Sequence, residues 1–448
     1  MTTPADKQLL KMDGWPGGVN NRLRETESGV MREGESIPSS AFLRKAINVD
    51  LTSEGHPLRR RGYTKLDTFQ DSYCHSAWAT DRLNAVFLVT GGYLVAAAEI
   101  GLADDYVEAN KYQNMSYCAG SSSVYMSNGS QLFEYEPMFR EFRPWGVPVP
   151  PQPTLSDGIA RGAEGYDSTR QVAITYVDTW GRESGASEPV IANGTGSFVV
   201  NVVWPYIPVA SSMSNSIVAI NVYVSQIGGE ILYLVETAIT ATAITIYPEN
   251  IGQGRECATL NMKPPLAGQL VAHFNGRIYI ARNDTVRFTE PLQPHLTRPS
   301  QGLYMFPDTV TLLAPSSDGV YVGHSRGVVF IAGDDPYAVE QITVSPYAPV
   351  PGAYTRVAGE KFGVPVDELP CWWGEDGVMV VGLPGGQLKQ LTRDRLAVPK
   401  HTGGAMHLRE LNGMSHIVSS LRKGDDANNM GATDTVVAEV RRNDIILN

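Results

Sequence analysis

From position 72 onward the chain is a succession of apolar runs about five residues long, separated by clusters of Gly, Pro, Asn and Ser. Asn84–Thr90, the Gly91-Gly92 reversal and Tyr93–Ala98 predict a hairpin, and Met115–Ala119, Ser123–Met126 and Gln131–Tyr135 continue the rhythm. These runs are too short for amphipathic helices and have the length of strands. The pattern resumes at Leu270–Ala281, where Asn275-Gly276 is the strongest short hairpin signal in the chain, and Thr285–Thr289 pairs with it. Thr309–Leu313, Val320–Val322, Gly327–Ala332 and Gln341–Val344 repeat the spacing. They are followed by Cys371–Trp373, Gly377–Leu383, a Pro384-Gly385-Gly386 turn and Gln387–Leu391. Val436–Val440 predicts a closing strand after a polar stretch that holds a loop at Gly424–Asn429. Two hairpins in forty-odd residues is the spacing of a four-stranded propeller blade.

Pro144–Pro153 interrupts the rhythm as a stiff linker, because prolines cannot donate to a ladder. Beyond it lie longer strands rich in β-branched and aromatic residues: Gln171–Val177, Ser197–Trp204, Ile217–Ser225, Ile231–Glu236 and Ala243–Tyr247. They predict a small sandwich. Asp178–Glu188 is read as a polar turn within it, and the segment Tyr176–Gly185 resembles the Gly-Xaa-Glu-Ser turn of fibronectin type III and related immunoglobulin-like modules. Lys263-Pro264-Pro265 marks the exit. The expected fold class is therefore all-β: an irregular β-propeller interrupted by an inserted immunoglobulin/fibronectin III-like β-sandwich. The expected domains are an N-terminal arm with the first blades (1–149), the sandwich (150–262), and the remaining blades with a closing segment (263–448). Separate N-terminal and C-terminal domains are the alternative division.

The first forty residues are polar and turn-rich. Ser39-Ser40 could cap a turn into Ala41–Ile47, Val49-Asp50-Leu51 reads as extended, and Glu54-Gly55 supplies a reversal before Pro57 and the basic run Arg59-Arg60-Arg61. Composition narrows the functions open to such a chain. A length of 448 residues calls for more than one folding unit, and the formal charge of −11 disfavours a protein that grips nucleic acid by neutralising phosphates. The four cysteines (Cys74, Cys118, Cys257, Cys371) are scattered without zinc-type pairs and are expected to be free thiols. Met1–Leu10 lacks the apolar run of a signal peptide, and no apolar stretch reaches membrane-spanning length, so synthesis in a cytoplasm without a membrane span is expected.

No Gly-Xaa-Ser-Xaa-Gly elbow, Walker loop or His-Glu-Xaa-Xaa-His is present. The tightest histidine pair, His401 and His407, reads as part of a Gly-rich polar loop rather than a metal site. Asp334-Asp335, Glu375-Asp376 and Asp425-Asp426 fall at turns, where carboxylates serve local hydrogen bonds. Ser317-Asp318-Gly319 is followed by Val-Tyr instead of continuing into a sialidase-type box. No catalytic, cofactor-binding or metal-binding residue is assigned. Arg59, Arg60, Arg61, Trp372 and Trp373 are the candidate interface residues. The arginines suit acidic surface on a neighbouring subunit, and the adjacent tryptophans alternate faces on a strand, one toward the core and one toward a partner.

The order of several short motifs resembles the nozzle, or tail tube, proteins of short-tailed bacteriophages and the related tail-stabilisation proteins. The matching residues are Gly18-Val19-Asn20, Leu43–Leu51, Gly55–Tyr63, Phe274–Ala281, Phe288-Thr289-Glu290-Pro291, Asp318–Gly323 and Arg409–Ser415. The resemblance implies a non-enzymatic virion protein assembled in the host cytoplasm. It would form a homohexameric ring below the portal and adaptor, contacted by tail fibres or spikes, with genomic DNA passing through its channel unbound. An acidic lumen would let DNA slide through. The competing expectations are a receptor- or glycan-binding tail-tip protein and a polysaccharide-degrading tailspike with a carboxylate pair.

Overall fold

The computed structural model describes residues 19, 22, 43, 49–51, 56–59, 74–80, 85–97, 105–157, 169–193, 196–203, 217–239, 241–396, 398, 400–411, 414–423, 433–441 and 444–447. Antiparallel strands dominate it, with three short 3-10 turns as the helical elements among the described residues. Among the described residues the expected blade rhythm is present as six antiparallel meanders, each formed by strands consecutive in sequence. The chain is all-β and propeller-like, with a two-sheet insertion between the second and third meanders. Two compact units divide it, Phe69–Phe306 on the one hand and Met1–Thr68 with Pro307–Asn448 on the other.

Within Phe69–Phe306 the first meander runs Cys74–Thr80, Ala85–Thr90, Tyr93–Ala97 and Asp105–Glu108, and the second Ser116–Ala119, Val124–Ser127, Leu132–Glu136 and Glu141–Pro144. Their alternating inner residues, including Phe87, Leu94, Val107, Val124, Phe133 and Phe142, form one buried cluster. The third meander has Leu270–Phe274, Arg277–Arg282, Thr285–Glu290 and Gln293–Thr297, with Leu303–Met305 as an added strand. At its first turn Asn275 (φ 46°) and Gly276 (φ 70°) both take the left-handed conformation that a two-residue hairpin needs, as Asn-Gly predicts.

The insertion is a sandwich. Thr154–Asp157, Phe198–Asn201 and Ala243–Ile246 form one sheet, and Val190–Asn193, Thr169–Asp178, Ile217–Ser225 and Leu232–Ala238 form the other. Val172, Ile174, Tyr176, Ile220, Val222 and Val224 of the larger sheet bury themselves against Val200, Ile244 and Ile246 of the smaller. Five of these seven strands were expected; Thr154–Asp157 and Val190–Asn193 are additions.

The other unit holds three more meanders. The fourth comprises Val310–Pro315, Gly319–His324, Gly327–Ala332 and Glu340–Ser345, and the fifth Pro349–Ala358, Glu368–Gly374, Met379–Gly382 and Leu388–Gln390. The sixth comprises His401–Leu411, Met414–Lys423, Thr433–Arg441 and Asp444–Leu447. His401–Leu411 corrects the expectation of a polar loop around His401 and His407. It is a strand paired along Met414–Lys423, and Gly404 is what permits the packing. A Cβ there would lie 2.8 Å from Leu421 Cδ2 and 3.2 Å from Ala353 Cβ, so the apparent loop signal is a close approach between neighbouring meanders.

The opening arm belongs to this unit. Val49–Leu51 pairs antiparallel with Pro57–Arg59, while Glu54-Gly55, where the reversal is expected, lies outside the described residues. Val19 makes a parallel bridge to Leu43 and is buried in the cluster that contains Val350, Leu369, Trp373 and Ile417. Arg22 Nε adds a hydrogen bond to the Leu396 carbonyl at 3.3 Å. Ser39-Ser40 and the rest of Ala41–Ile47 apart from Leu43, like Gly424–Asn429 and Asp425-Asp426, lie outside the described residues.

Candidate functional site

The densest polar constellation joins the sandwich to the second meander. Asp178 ends the strand Thr169–Asp178 and is 1% exposed. Its Oδ1 accepts the backbone N–H groups of Trp180 (3.0 Å) and Arg182 (2.8 Å), which folds Thr179-Trp180-Gly181 into a turn with Gly181 at φ 75°. The turn aims Arg182 back along the strand. Arg182 Nε donates to Asp178 Oδ2 at 2.7 Å and Nη1 to Glu134 Oε2 at 2.6 Å, while Nη1 and Nη2 reach the carbonyls of Trp145 (3.3 Å) and Pro144 (3.1 Å). Glu134, 4% exposed on Leu132–Glu136, also takes Arg143 Nη2 at 3.2 Å, and the same Nη2 lies 2.7 Å from Glu136 Oε2. The Trp180 ring has both guanidinium carbons near it, Arg143 at 5.0 Å and Arg182 at 5.1 Å from its centroid. Such a fork-on-carboxylate network fixes geometry more than it adds net stability.

A second knot holds the same loop on its other side. Glu183 Oε1 accepts from Thr175 Oγ1 (2.5 Å), Tyr223 Oη (2.6 Å) and Asn221 Nδ2 (3.0 Å), and Oε2 from Arg255 Nη2 (2.8 Å). Burial alone would raise this carboxyl, but the four donors outweigh it and hold it below the usual value. Burial, and then the bond to Glu183, pushes the Tyr223 phenol up. Ser184 and Ser187 extend the strand pairing by accepting the N–H groups of Tyr176 (2.9 Å) and Ile174 (3.0 Å). Gly185 passes so close to Met262 that a Cβ would stand 1.9 Å from its carbonyl oxygen. His295 of the third meander completes the joint: Nε2–H donates to the Glu183 carbonyl at 3.2 Å, which fixes the tautomer. Burial, reinforced by nearby Arg182, lowers the His295 pKa to about 4. The segment expected to be a simple polar turn is thus a buried clasp.

A different feature recurs at the turn between the third and fourth strands of three consecutive meanders. Glu136-Pro137-Met138, Glu290-Pro291-Leu292 and Asp335-Pro336-Tyr337 each place a large apolar residue directly after an acid–proline pair. Met138 is 83% exposed, its neighbour Phe139 65%, Leu292 82% and Tyr337 46%. Leu292 (φ 56°) and Arg140 (φ 54°) hold left-handed backbone that L side chains rarely adopt, so two of these turns carry local strain while displaying apolar groups. Leu292 N–H donates to the Gly276 carbonyl at 2.9 Å, tying the tip to the Asn-Gly turn of the same meander.

The expected interface residues are scattered. Arg59 is exposed on Pro57–Arg59, and Arg60 and Arg61 lie outside the described residues. Trp372 and Trp373 do alternate faces, yet both are buried, at 2% and 0% exposure. Trp373 packs among Leu369, Met379 and Ile417 with its Nε1–H on Ser419 Oγ at 2.9 Å, and Trp372 packs against Tyr321 and Phe330 on the other side. The strand is central and covered on both faces, which corrects the expectation that one indole faces a partner. The carboxylates serve turns as read: Asp335 Oδ1 accepts Tyr337 N–H at 3.0 Å and Asp376 Oδ1 accepts Val378 N–H at 3.3 Å. Among the described residues no three potential ligands gather as a metal site, and no helix is long and apolar enough to cross a membrane. Cys118 and Cys371 are buried, and none of the four cysteines is in a disulfide.

No protein-family model matches the chain, and no curated protein matches it in sequence. Among solved structures, Hsv2 of Kluyveromyces lactis is similar over 82% of this chain and 94% of its own, at 8% identity and a TM-score of 0.29. Dipeptidyl peptidase 4 of Porphyromonas gingivalis is similar over 82% of this chain and 52% of its own, at 8% identity and a TM-score of 0.30. At these scores neither activity nor partner is carried over, and the fold class rests on the chain's own strands.

Proposed function

We propose that this chain is a structural protein of a bacteriophage tail. In this reading it is a subunit of a hexameric nozzle or tail-tube ring below the portal and adaptor, and DNA leaves through the ring without specific binding. The order of motifs from Gly18-Val19-Asn20 to Arg409–Ser415 is its basis. The observation that carries it furthest is the row of acid–proline–apolar turns. Exposed Met138, Phe139, Leu292 and Tyr337 at equivalent strand connections suit repeated contacts with neighbouring proteins. The clasp around Arg182 supports the same reading, since a module held by buried charge keeps one orientation under mechanical load. The formal charge of −11 suits a wall along which DNA slides. Fibres or spikes would be the outer partners and the host-assembled virion the location.

The assembly surface is tested by replacing Met138, Phe139 and Leu292 with Ser together and measuring mass by light scattering alongside circular dichroism. The expected result is a folded protein that stays monomeric where the wild type forms rings. Rings of unchanged mass from the triple variant would remove the turns from the assembly surface.

A further inference from the structure

Between the fourth and fifth meanders, within one compact unit, lies a cleft of about 330 Å³. Tyr347, Trp372 and Val380 are among the residues that line it, with Ser345, Asp376 and Gln390 as polar residues of the lining. Each wall is held in place by its own neighbours. Ser345 Oγ accepts Tyr347 N–H at 3.1 Å, which fixes the backbone at this 42%-exposed lining residue. The Trp372 ring lies 5.4 Å from that of Tyr321, tilted by 47°. Asp376 fills the space that a side chain at Gly374 would take: a Cβ there would stand 2.5 Å from Asp376 Oδ1. Gly386 keeps the far side low, over the Phe330 ring. Positions so constrained have little entropy left to lose when a ligand enters.

The chemistry of the lining selects the ligand. One carboxylate and one amide can accept and donate several hydrogen bonds, and the exposed aromatic ring of Tyr347 can take a C–H face. An anion is disfavoured by Asp376. A full cation is disfavoured because Arg393 Nη2 already stands 3.5 Å from Asp376 Oδ2. A small ring with hydroxyls around its edge and C–H groups on its face meets both halves of the cleft, and the volume is at the lower end of that of small-molecule sites. We propose that this cleft is a subsite for an uncharged saccharide of one or two rings, with Tyr347 against the sugar face and Asp376 and Gln390 on its hydroxyls. The inference goes beyond the nozzle reading and stands without it.

Saturation-transfer NMR on the full chain tests it, with methyl α-D-glucopyranoside and N-acetylglucosamine as probes and choline and acetate as charged controls. Transfer to the sugar C–H protons is expected, with a dissociation constant in the range of about 1–10 mM. Affinity should fall about fivefold or more in Tyr347→Ala and in Asp376→Asn, with wild-type melting curves for the exposed Tyr347→Ala variant. Absence of transfer to both sugars, transfer undiminished in Tyr347→Ala, or stronger transfer to choline or acetate than to the sugars would each overturn the assignment.

Discussion

Replacing Arg182 by Met tests whether the sandwich is held by the clasp. Methionine keeps much of the aliphatic volume and removes every donor of the guanidinium. Glu134 and Asp178, at 4% and 1% exposure, then lose the ion pairs of 2.6 and 2.7 Å that offset their burial. Removing one partner of a buried pair costs about 3–5 kcal/mol; Asp178 would keep only its backbone donors while Glu134 would keep Arg143 at 3.2 Å, so the cost falls mainly on Asp178. Losing one of the two cations over Trp180 adds about 0.5–2 kcal/mol. Against a typical folding free energy of about 5–15 kcal/mol, the variant loses a large fraction of the stability of this part of the chain. Neutralising the stranded groups should return part of it, so Arg182→Met with Glu134→Gln and Asp178→Asn is expected to be more stable than Arg182→Met alone. Arg182→Lys should fall between wild type and Met, because a single ammonium cannot serve two carboxylates and two carbonyls at once. Urea unfolding followed by tryptophan fluorescence gives the comparison, with the midpoint shifting at unchanged slope. A cost below about 1 kcal/mol for Arg182→Met, or a triple variant no more stable than the single one, would refute the reasoning.

Two further outcomes follow from the structure and the sequence. His295 is neutral in the fold with a pKa lowered from 6.5 to about 4, so the unfolded chain binds the proton first and stability falls as pH drops through that window. The full loss is about 3 kcal/mol, of which about 2 kcal/mol is spent by about pH 5. Glu183, whose carboxyl is held low, loses its contribution only at more acid pH, so His295→Gln should flatten the upper window in denaturation curves and leave the lower one, and parallel curves would contradict this. In the proposed tail role, replacing Arg59, Arg60 and Arg61 by Ser should leave the chain folded yet block tail completion, and normal particles would reject the basic run as an interface.

What could be read from the sequence depended on whether the signal was local. Gly91-Gly92 and Asn275-Gly276 announce their hairpins because the turn itself demands left-handed backbone, and the structure has all four residues at positive φ. Pro349–Ala358 was missed because Pro349, Pro351 and Gly352 read as breakers. They sit on an outer strand whose pairing jumps from Pro349–Gly374 to Tyr354–Trp372, leaving Pro351 and Gly352 off the ladder. His401–Leu411 was hidden by glycines that serve packing between strands. The clasp had no local mark, since Glu134, Arg143 and Arg182 are brought together by tertiary structure, and a single Arg in a polar turn looks solvated. Trp372-Trp373 showed alternation but not that both faces of the strand are covered. The acid–proline–apolar turns were legible and overlooked: Glu136-Pro137-Met138, Glu290-Pro291-Leu292 and Asp335-Pro336-Tyr337 repeat in plain view, and recurrence at one turn position was the signal.

In the proposed role copies of this chain close into a ring around a DNA channel, and rotational symmetry tests that role most directly. Two-dimensional class averages of the purified, assembled protein by electron microscopy should show six-fold end views with an open centre. A population of monomers, or compact trimers without a channel, would contradict the account.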